Sequence, residues 1–441
     1  MTSVDTISPL LLSQSDFGGG AARACYRLNK ALNKSGVDSL MRVGVKKTDD
    51  NNVIGPSSNI GAAFNMLKPY IGQALMGLQK TQNTVMHSPA VFPSNIAEEV
   101  NLSGNDVINL HWVNNEFMSI AEIGRITKPI VWTLHDMWPF CGAEHYAADD
   151  LSARWRYSYT SNNCPASHSL LDIDRWVWRR KIKHWTHKMH IVTPSAWLAN
   201  CVKSSFLMAS NPVTVIPNPL DTSIFKPWDK KIAREMHGLP QNTPLILFGA
   251  IGGGGDIRKG WDLLQSALIK VTSRYPEVQC VIFGQSEPKN PPKLGIKLHW
   301  MGHIYDDIAL ALLYSAADVM IVPSRQENLP QSGTEAQACG CPVVGFQATG
   351  MPDVVKHGET GYLAPAFDVE ELAIGILWVL EDFERRLRLG DVARNRAVSL
   401  WSEEVVSSQY LNVYKSARET HLSEGGSSYK LKVAGTIKGL N

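Results

Sequence analysis

The chain has 441 residues, 44% hydrophobic and 19% charged, with 43 Lys+Arg against 41 Asp+Glu. At about 100–200 residues per domain this is room for two or three domains, each able to bury a core, and the proportions exclude a disordered, collagenous or coiled-coil chain. A net charge of only +2 argues against a nucleic-acid coat.

The first apolar runs are Ser8–Leu12, Val107–Leu110 and Ile130–Leu134, followed by His190–Thr193 and Val213–Ile216. Each ends at a polar or Gly-rich turn, and helical patterns lie between them, which predicts strands buried on both faces of a parallel sheet. A second set follows Pro217-Asn218-Pro219: Leu245–Phe248, Gln279–Phe283, Leu298–Met301, Val319–Val322 and Val343–Phe346. Helices are expected at 260–275, 306–316, 333–338 and 369–382. The predicted organisation is therefore two α/β domains, 1–215 and 216–400, with a Gly/Ser/Lys-rich tail at 421–441 expected to fray.

Ligands of such sheets sit beyond the carboxyl ends of the strands, so residues following strands are the candidates. After the first strand comes Ser13-Gln-Ser-Asp16-Phe-Gly18-Gly19-Gly20-Ala-Ala-Arg23, a loop whose glycines permit close approach of a ligand and whose helix start adds N–H donors. Thr133-Leu-His135-Asp136-Met-Trp138-Pro-Phe-Cys-Gly places His135 at another strand end, and His111-Trp112 occupies a similar place. In the second half, Phe248-Gly-Ala250-Ile-Gly252-Gly-Gly-Gly255-Asp-Ile-Arg258-Lys259-Gly260 reads as a diphosphate cradle: a Gly run after a strand, then a basic pair opening a helix. Its glycines are bunched rather than spaced as in a dinucleotide fingerprint, so NAD is not implied.

The most specific segment is Val322-Pro-Ser-Arg-Gln-Glu327-Asn328-Leu329-Pro-Gln-Ser-Gly-Thr-Glu335-Ala-Gln-Ala-Cys-Gly340-Cys-Pro342-Val-Val. A strand is expected to end in a loop holding Glu327, with a helix starting near Gly333 and Glu335 in its first turn. Two carboxylates across that join can each accept a pair of sugar hydroxyls.

Glu-x7-Glu followed by Glu-Ala-x-Ala-x-Gly-x-Pro-Val-Val is similar to the signature of the family 4 retaining glycosyltransferases. The resemblance continues through Gly350-Met-Pro-Asp353 and Val355-x-x-Gly358-x-x-Gly361-Tyr-Leu, and covers nearly the whole chain except the tail. It implies the GT-B fold: two facing Rossmann-like domains with a ligand cleft between them, the first binding acceptor and the second nucleotide sugar. It also implies that a helix near 401–416 crosses back to the first domain.

The family's roles transfer by motif. Glu327 would hold the transferred sugar, the amides of Asn328 and Leu329 would meet the diphosphate, and Glu335 would bind the ribose. Lys259 would neutralise the leaving nucleoside diphosphate. Arg258 would assist where many members carry an Arg at the position of Ala250. Gly19 and Gly20 match the family's loop between donor phosphate and acceptor, and His135 matches its His beside the reacting sugar. His-Asp-Met-Trp-Pro-Phe resembles exopolysaccharide-assembly members in particular.

The implied reaction moves a hexosyl unit from a nucleoside-diphosphate sugar to a glycan or lipid-linked acceptor, with retention, in surface polysaccharide biosynthesis. A glycogen- or sucrose-synthase-like enzyme and a non-catalytic sugar-nucleotide-binding module are the alternatives. No Asp-x-Asp precedes the phosphate loop, so no metal and no cofactor are expected.

Other features stay open at this level. Eight of the 13 tryptophans fall between Trp112 and Trp197, suiting either sugar stacking or a core. Trp178, Ile182, Trp185 and Met189 share a helical stripe flanked by Arg179, Arg180, Lys183 and His187. That pattern fits packing, which is favoured, or peripheral contact with the cytoplasmic face of a membrane. Cys141, His145, Cys164 and His168 form an unusual Cys-x3-His pair of pairs that could hold zinc. Seven scattered cysteines, an N-terminus without a basic n-region and no 18-residue apolar window predict a cytoplasmic chain.

Overall fold

The computed structural model describes residues 7–56, 59–249 and 255–437. The chain divides into two compact units. Unit 1 comprises 1–194, 198–216 and 407–441, and unit 2 comprises 195–197 and 217–406.

Unit 1 is built on a seven-stranded sheet. Its strands are β1 (Pro9–Ser15), β2 (Leu40–Val45), β3 (Val53–Ile54), β5 (Val107–Leu110), β6 (Ile130–Thr133), β8 (His190–Thr193) and β9 (Val213–Val215). All pairings are parallel, in the order β3-β2-β1-β5-β6-β8-β9. A two-stranded antiparallel ribbon joins β4 (Gln79–Lys80) to β7 (Ser169–Leu170). The strand order runs outward from β1 in both directions, so the switch point lies between β1 and β5.

Unit 2 repeats the plan with six parallel strands: β10 (Leu245–Gly249), β11 (Gln279–Phe283), β12 (Leu298–Trp300), β13 (Val319–Val322), β14 (Val343–Phe346) and β15 (Gly361–Ala364). Their order is β12-β11-β10-β13-β14-β15, which puts the switch between β10 and β13. The continuous apolar runs have a clear cause here. Along β10, Leu245 and Leu247 enter one core, while Ile246 and Phe248 enter the core on the opposite face. Both faces are covered, so alternation disappears from the sequence.

The final helix, Glu403–Ile437, passes from unit 2 into unit 1. Tyr410 and Tyr414, one turn apart, are buried in unit 1. The Tyr410 hydroxyl lies 3.1 Å from Thr133 Oγ1, and Asn109 Nδ2 donates to the Tyr414 hydroxyl at 2.7 Å. Residues 421–437, expected to fray, are helical instead. No proline interrupts the chain beyond Trp401, so nothing removes a backbone donor; residues 438–441 lie outside the described residues.

Five strands escape the apolar-run criterion, three of them (β3, β4 and β7) only two residues long. β2 is broken in sequence by Arg42 and Gly44, and β15 opens on Gly361 and keeps only four residues. Among the described residues no helix is long and apolar enough to cross a membrane.

Candidate functional site

In unit 2 the candidate residues gather at the switch point. After β10 the chain makes a short 3-10 turn, Ile257–Lys259, capped by the Asp256 carboxylate on the Arg258 amide at 3.0 Å. Gly260 then turns with φ +67°, and a Cβ there would stand 1.9 Å from the Pro323 carbonyl oxygen. Only glycine lets the turn close against the loop after β13. The Arg325 guanidinium completes that junction, donating twice to Asp262, at 2.8 and 2.6 Å, and once to the Ile257 carbonyl at 2.9 Å.

Lys259 Nζ and Glu327 Oε1 form an ion pair across this junction. Ser324 Oγ also donates to Glu327 Oε1, at 3.2 Å, and the Glu327 amide donates to Thr349 Oγ1 at 3.0 Å. Thr349 has φ +48°, an outlier for a β-branched residue and a mark of backbone held for a purpose. Gly350 follows because a Cβ there would lie 1.4 Å from the Asn328 carbonyl oxygen. Asn328 and Leu329 are buried, and Asn328 Oδ1 accepts from Ser195 Oγ at 2.7 Å.

Glu335 differs from expectation. The helix spans Gln331–Ala338, beginning two residues earlier than the sequence suggests, so Glu335 stands beyond the first turn. Its side chain is buried and accepts from the Tyr314 hydroxyl at 2.8 Å. It is therefore not a helix-end acid. Arg258 is paired with its neighbour Asp256 at 2.6 Å, which offsets much of its charge. Ala250 and Gly252, Gly253 and Gly254 of the expected phosphate cradle lie outside the described residues.

In unit 1 the candidates follow β1 and β5, which flank the switch, and β6, the next strand out. Gly18 and Gly19 have φ +75° and +77°, a conformation that side chains resist, and Gly20 opens the helix Gly20–Lys34. Asp16 is turned inward, accepting from the Lys47 and Thr48 amides at 2.8 and 2.9 Å, so it holds the loop.

His111 follows β5 and His135 follows the adjacent β6. Their rings stack at 5.2 Å, with His111 Nδ1 2.9 Å from His135 Nε2. Burial pushes the His135 imidazole down to about 4, partly countered by Asp136, and drives His111 well below its ordinary range. Two neutral rings share one hydrogen bond.

Asp136 is a hub. Its Oδ2 accepts from Trp112 Nε1 at 2.9 Å and lies 2.6 Å from His145 Nδ1, while its Oδ1 accepts from the Trp138 amide at 3.0 Å. Burial alone would raise this carboxyl, but His145 and the donated hydrogen bonds hold it below its usual value.

Sequence reasoning missed Lys181, which is fully buried beneath the tryptophans. Its ammonium donates to the carbonyls of Trp138, Cys141 and Gly142 and sits 3.8 Å from the Trp138 ring centroid. Trp132, Trp138 and Trp155 are thus core residues. The expected helical stripe is broken, because the helix Ile173–His184 ends before Trp185 and Met189; Trp178 and Met189 are nonetheless buried and Trp185 Nε1 donates to the Ile120 carbonyl at 2.9 Å, with Ile182 left exposed. The Cys–His quartet is not assembled. Among the described residues, ligand-type atoms gather as Cys164, His168 and Asp172, and as His87, Glu144 and Asp174, with Cys141 and His145 in neither group.

Comparison with known proteins agrees with this architecture. The family model for Glycosyltransferase Family 4 matches residues 18–224, and that for Glycosyl transferases group 1 matches 229–396. The sucrose-phosphate synthase of Thermosynechococcus elongatus superposes with a TM-score of 0.63 at 18% identity, covering 93% of this chain and 98% of that one. Anabaena HepE in complex with UDP-glucose gives 0.61 at 17%, covering 93% and 100%. The fold is GT-B.

The chain is similar to the family 4 glycosyltransferases across both units. The MMP alpha-(1->4)-mannosyltransferase of Mycolicibacterium hassiacum is 30% identical over 238 residues, 52% of this chain and 54% of that protein. The chain spans about half the length of the curated relatives it matches.

Proposed function

We propose that the protein is a retaining glycosyltransferase that moves a hexosyl unit from a nucleoside-diphosphate sugar to a hydroxyl of a glycan or lipid-linked acceptor in surface polysaccharide biosynthesis. The observation that carries this reading is the Lys259–Glu327 ion pair at the carboxyl edge of β10 and β13, where open α/β sheets take their ligands. Unit 2 is read as the donor domain and unit 1 as the acceptor domain.

In the donor complex, Lys259 transfers its charge from Glu327 to the diphosphate, and Glu327, relieved of the ammonium, accepts sugar hydroxyls. Glu335, already oriented by Tyr314, takes the ribose, and the amides of Asn328 and Leu329 meet the phosphate. As the bond to the anomeric carbon breaks, charge grows on the departing phosphate oxygen, which also receives the acceptor's proton during front-face attack. Lys259 stabilises that charge more than it stabilises the bound donor. His135 is read as the unit 1 group at the reacting sugar. A neutral imidazole there can orient a hydroxyl without adding a second cation.

Support for a nucleotide-sugar donor also comes from the Anabaena protein, whose complex holds UDP-glucose. Support for a lipid-linked acceptor comes from the helix Asn59–Met76, where Met66, Leu67 and Tyr70 are exposed. The donor chemistry needs no divalent ion in this reading, so turnover stays constant when Mg²⁺ or Mn²⁺ is titrated into the assay.

The direct test is a thermal-shift screen of UDP, GDP and ADP with their sugars. A ligand of the native state raises the midpoint as RT ln(1 + [L]/Kd), about 2.7 kcal/mol at one hundred times Kd. Midpoints unmoved by every nucleotide, in protein that remains folded, would refute the reading.

A further inference from the structure

Unit 1 holds a second cluster that the transferase reading does not use. The chain pairs His87 with Glu144 in a short antiparallel bridge, and the helix Ile173–His184 brings Asp174 against both. One ligand-type atom from each lies within 4.8 Å of the other two. All three residues are more than nine-tenths buried, at 7%, 6% and 4% exposure.

The protons of the cluster can be assigned. His87 Nδ1 is 2.7 Å from the Val85 carbonyl oxygen, which only accepts, so the ring proton is on Nδ1. The neutral ring then presents a lone pair on Nε2, and that atom has no hydrogen-bond partner. Asp174 Oδ1, at 3.9 Å, is too distant for one.

Glu144 Oε1 takes the Tyr159 hydroxyl, while buried Oε2 accepts from no donor. Asp174 accepts from Gln79 Nε2 at 2.7 Å and from the Ala143 amide at 3.2 Å. Gln79 is itself fixed, because its Oε1 accepts from the amides of Ile173 and Asp174. Lys181 bonds to neither carboxylate, since its three donors go to backbone carbonyls, and its charge reaches Glu144 and Asp174 only through space.

An imidazole lone pair and two carboxylates thus converge, buried, with no cation hydrogen-bonded to them: Lys181 acts only through space and His168 Nε2 stands 3.9 Å from Asp174 Oδ2. An arrangement of acceptors alone is costly in a low-dielectric interior. We propose that His87, Glu144 and Asp174 bind a divalent transition-metal ion of the Zn²⁺ class, which clips three distant segments of unit 1 together. An imidazole within the set favours Zn²⁺, Fe²⁺ or Ni²⁺ over the oxygen-seeking Ca²⁺, Mg²⁺ and Mn²⁺.

The Val85 carbonyl, Tyr159 and Gln79 are outer partners of the kind that orient metal ligands. The adjacent trio Cys164, His168 and Asp172 is the weaker candidate: Arg154 holds Asp172 at 2.5 Å, and Asp172 also caps the Arg175 amide. A shared proton is the rival occupant, because burial and the neighbouring Asp174 carboxylate push the Glu144 carboxyl up to about 7.

The test uses full-length protein stripped with EDTA and dialysed. Zn²⁺ is titrated in competition with a chromophoric chelator, and Co²⁺ is added separately as a spectroscopic probe. The expected result is one equivalent of Zn²⁺ and a raised melting midpoint. Affinity should fall roughly a hundredfold or more in His87→Gln or Glu144→Gln, since even outer-partner losses cost 10–100-fold, and should be unchanged in Cys164→Ser.

Apoprotein that takes up no Zn²⁺ leaves the shared proton as the occupant and overturns the proposal. Affinity that survives His87→Gln but falls in Cys164→Ser also overturns it. Should both His87→Gln and Glu144→Gln fail to fold, the wild-type Co²⁺ spectrum decides. Ligand-field bands without thiolate charge transfer agree with the assignment, and a thiolate charge-transfer band places the ion at Cys164 instead.

Discussion

The two units place candidate residues after strands at or next to the switch point and use opposite chemistry there. In unit 2 the switch point carries a full ion pair, Lys259 with Glu327, on loops locked by Gly260, Arg325 and Gly350. In unit 1 two imidazoles stripped of charge by burial follow β5, at the switch, and β6 beside it, next to an Asp136 hub bonded to Trp112, Trp138 and His145. On the proposed function, the charged pair of unit 2 would release a cation toward a polyanion, and the neutral pair of unit 1 would orient a hydroxyl without adding a second cation.

The strongest way to break this contrast is Lys259→Ala. If the ammonium acts mainly on the leaving phosphate, kcat falls about a hundredfold or more, on the order of 3–4 kcal/mol, with a smaller change in KM for donor. Steady-state kinetics under a fixed acceptor measure both. A variant whose KM rises while kcat holds makes Lys259 an anchor only.

Next in size is Glu335→Ala. Loss of a charge-assisted hydrogen bond to the ribose weakens nucleotide binding by about 1.5–3 kcal/mol. Calorimetry with UDP, GDP and ADP reads this directly, and unaltered affinity for all three removes Glu335 from the donor site.

The unit 1 side is tested by pH. His135 titrates lower folded than unfolded, so the unfolded state binds more protons between about pH 4 and the ordinary histidine value near 6.5. Its contribution to stability is complete above about pH 6.5 and is lost as pH falls toward 4. His111 is shifted in the same direction. Melting midpoints of His135→Gln should therefore fall less than wild type between pH 7 and pH 4.5. Parallel curves would show that the ring is not held neutral.

The smallest effect is expected from Tyr414→Phe, which leaves buried Asn109 Nδ2 without its acceptor. The cost is about 1–3 kcal/mol in urea unfolding, with donor affinity unchanged.

Much of this was legible in sequence, for definite reasons. Strands buried on both faces give unbroken apolar runs, so Val107–Leu110, Gln279–Phe283, Val319–Val322 and Val343–Phe346 coincide with observed strands. Where polar or glycine residues interrupt the run, as Arg42 and Gly44 do in β2, the criterion fails. Glu327, Glu335 and Lys259 stood out because motif spacing fixes them locally.

The His111–His135 contact was derivable in principle, since the two residues follow adjacent parallel strands, β5 and β6. Arg325, Tyr314 and Thr349 carried no comparable signal. Their importance comes from partners at separations of 21 to 63 residues. Lys181 was the least readable, because a lysine on a helix is ordinarily exposed, and only the tertiary fold turns this one inward.

The helix Glu403–Ile437 gives the chain an unusual order of assembly. Asn109 and Thr133 sit inside the unit 1 sheet, yet the hydroxyls of Tyr410 and Tyr414 that meet them arrive some three hundred residues later, at separations of 277 and 305. During synthesis, unit 1 strands emerge first and wait while all of unit 2 is made. Unit 2, contiguous apart from residues 195–197, can close before its partner does. Long-range contacts of this kind are slow to form and leave apolar surface open meanwhile. A stop codon shortly after Val406 should thus spare unit 2 and leave unit 1 as the chaperone-dependent, protease-sensitive part, which reverses the usual advantage of the N-terminal domain in co-translational folding.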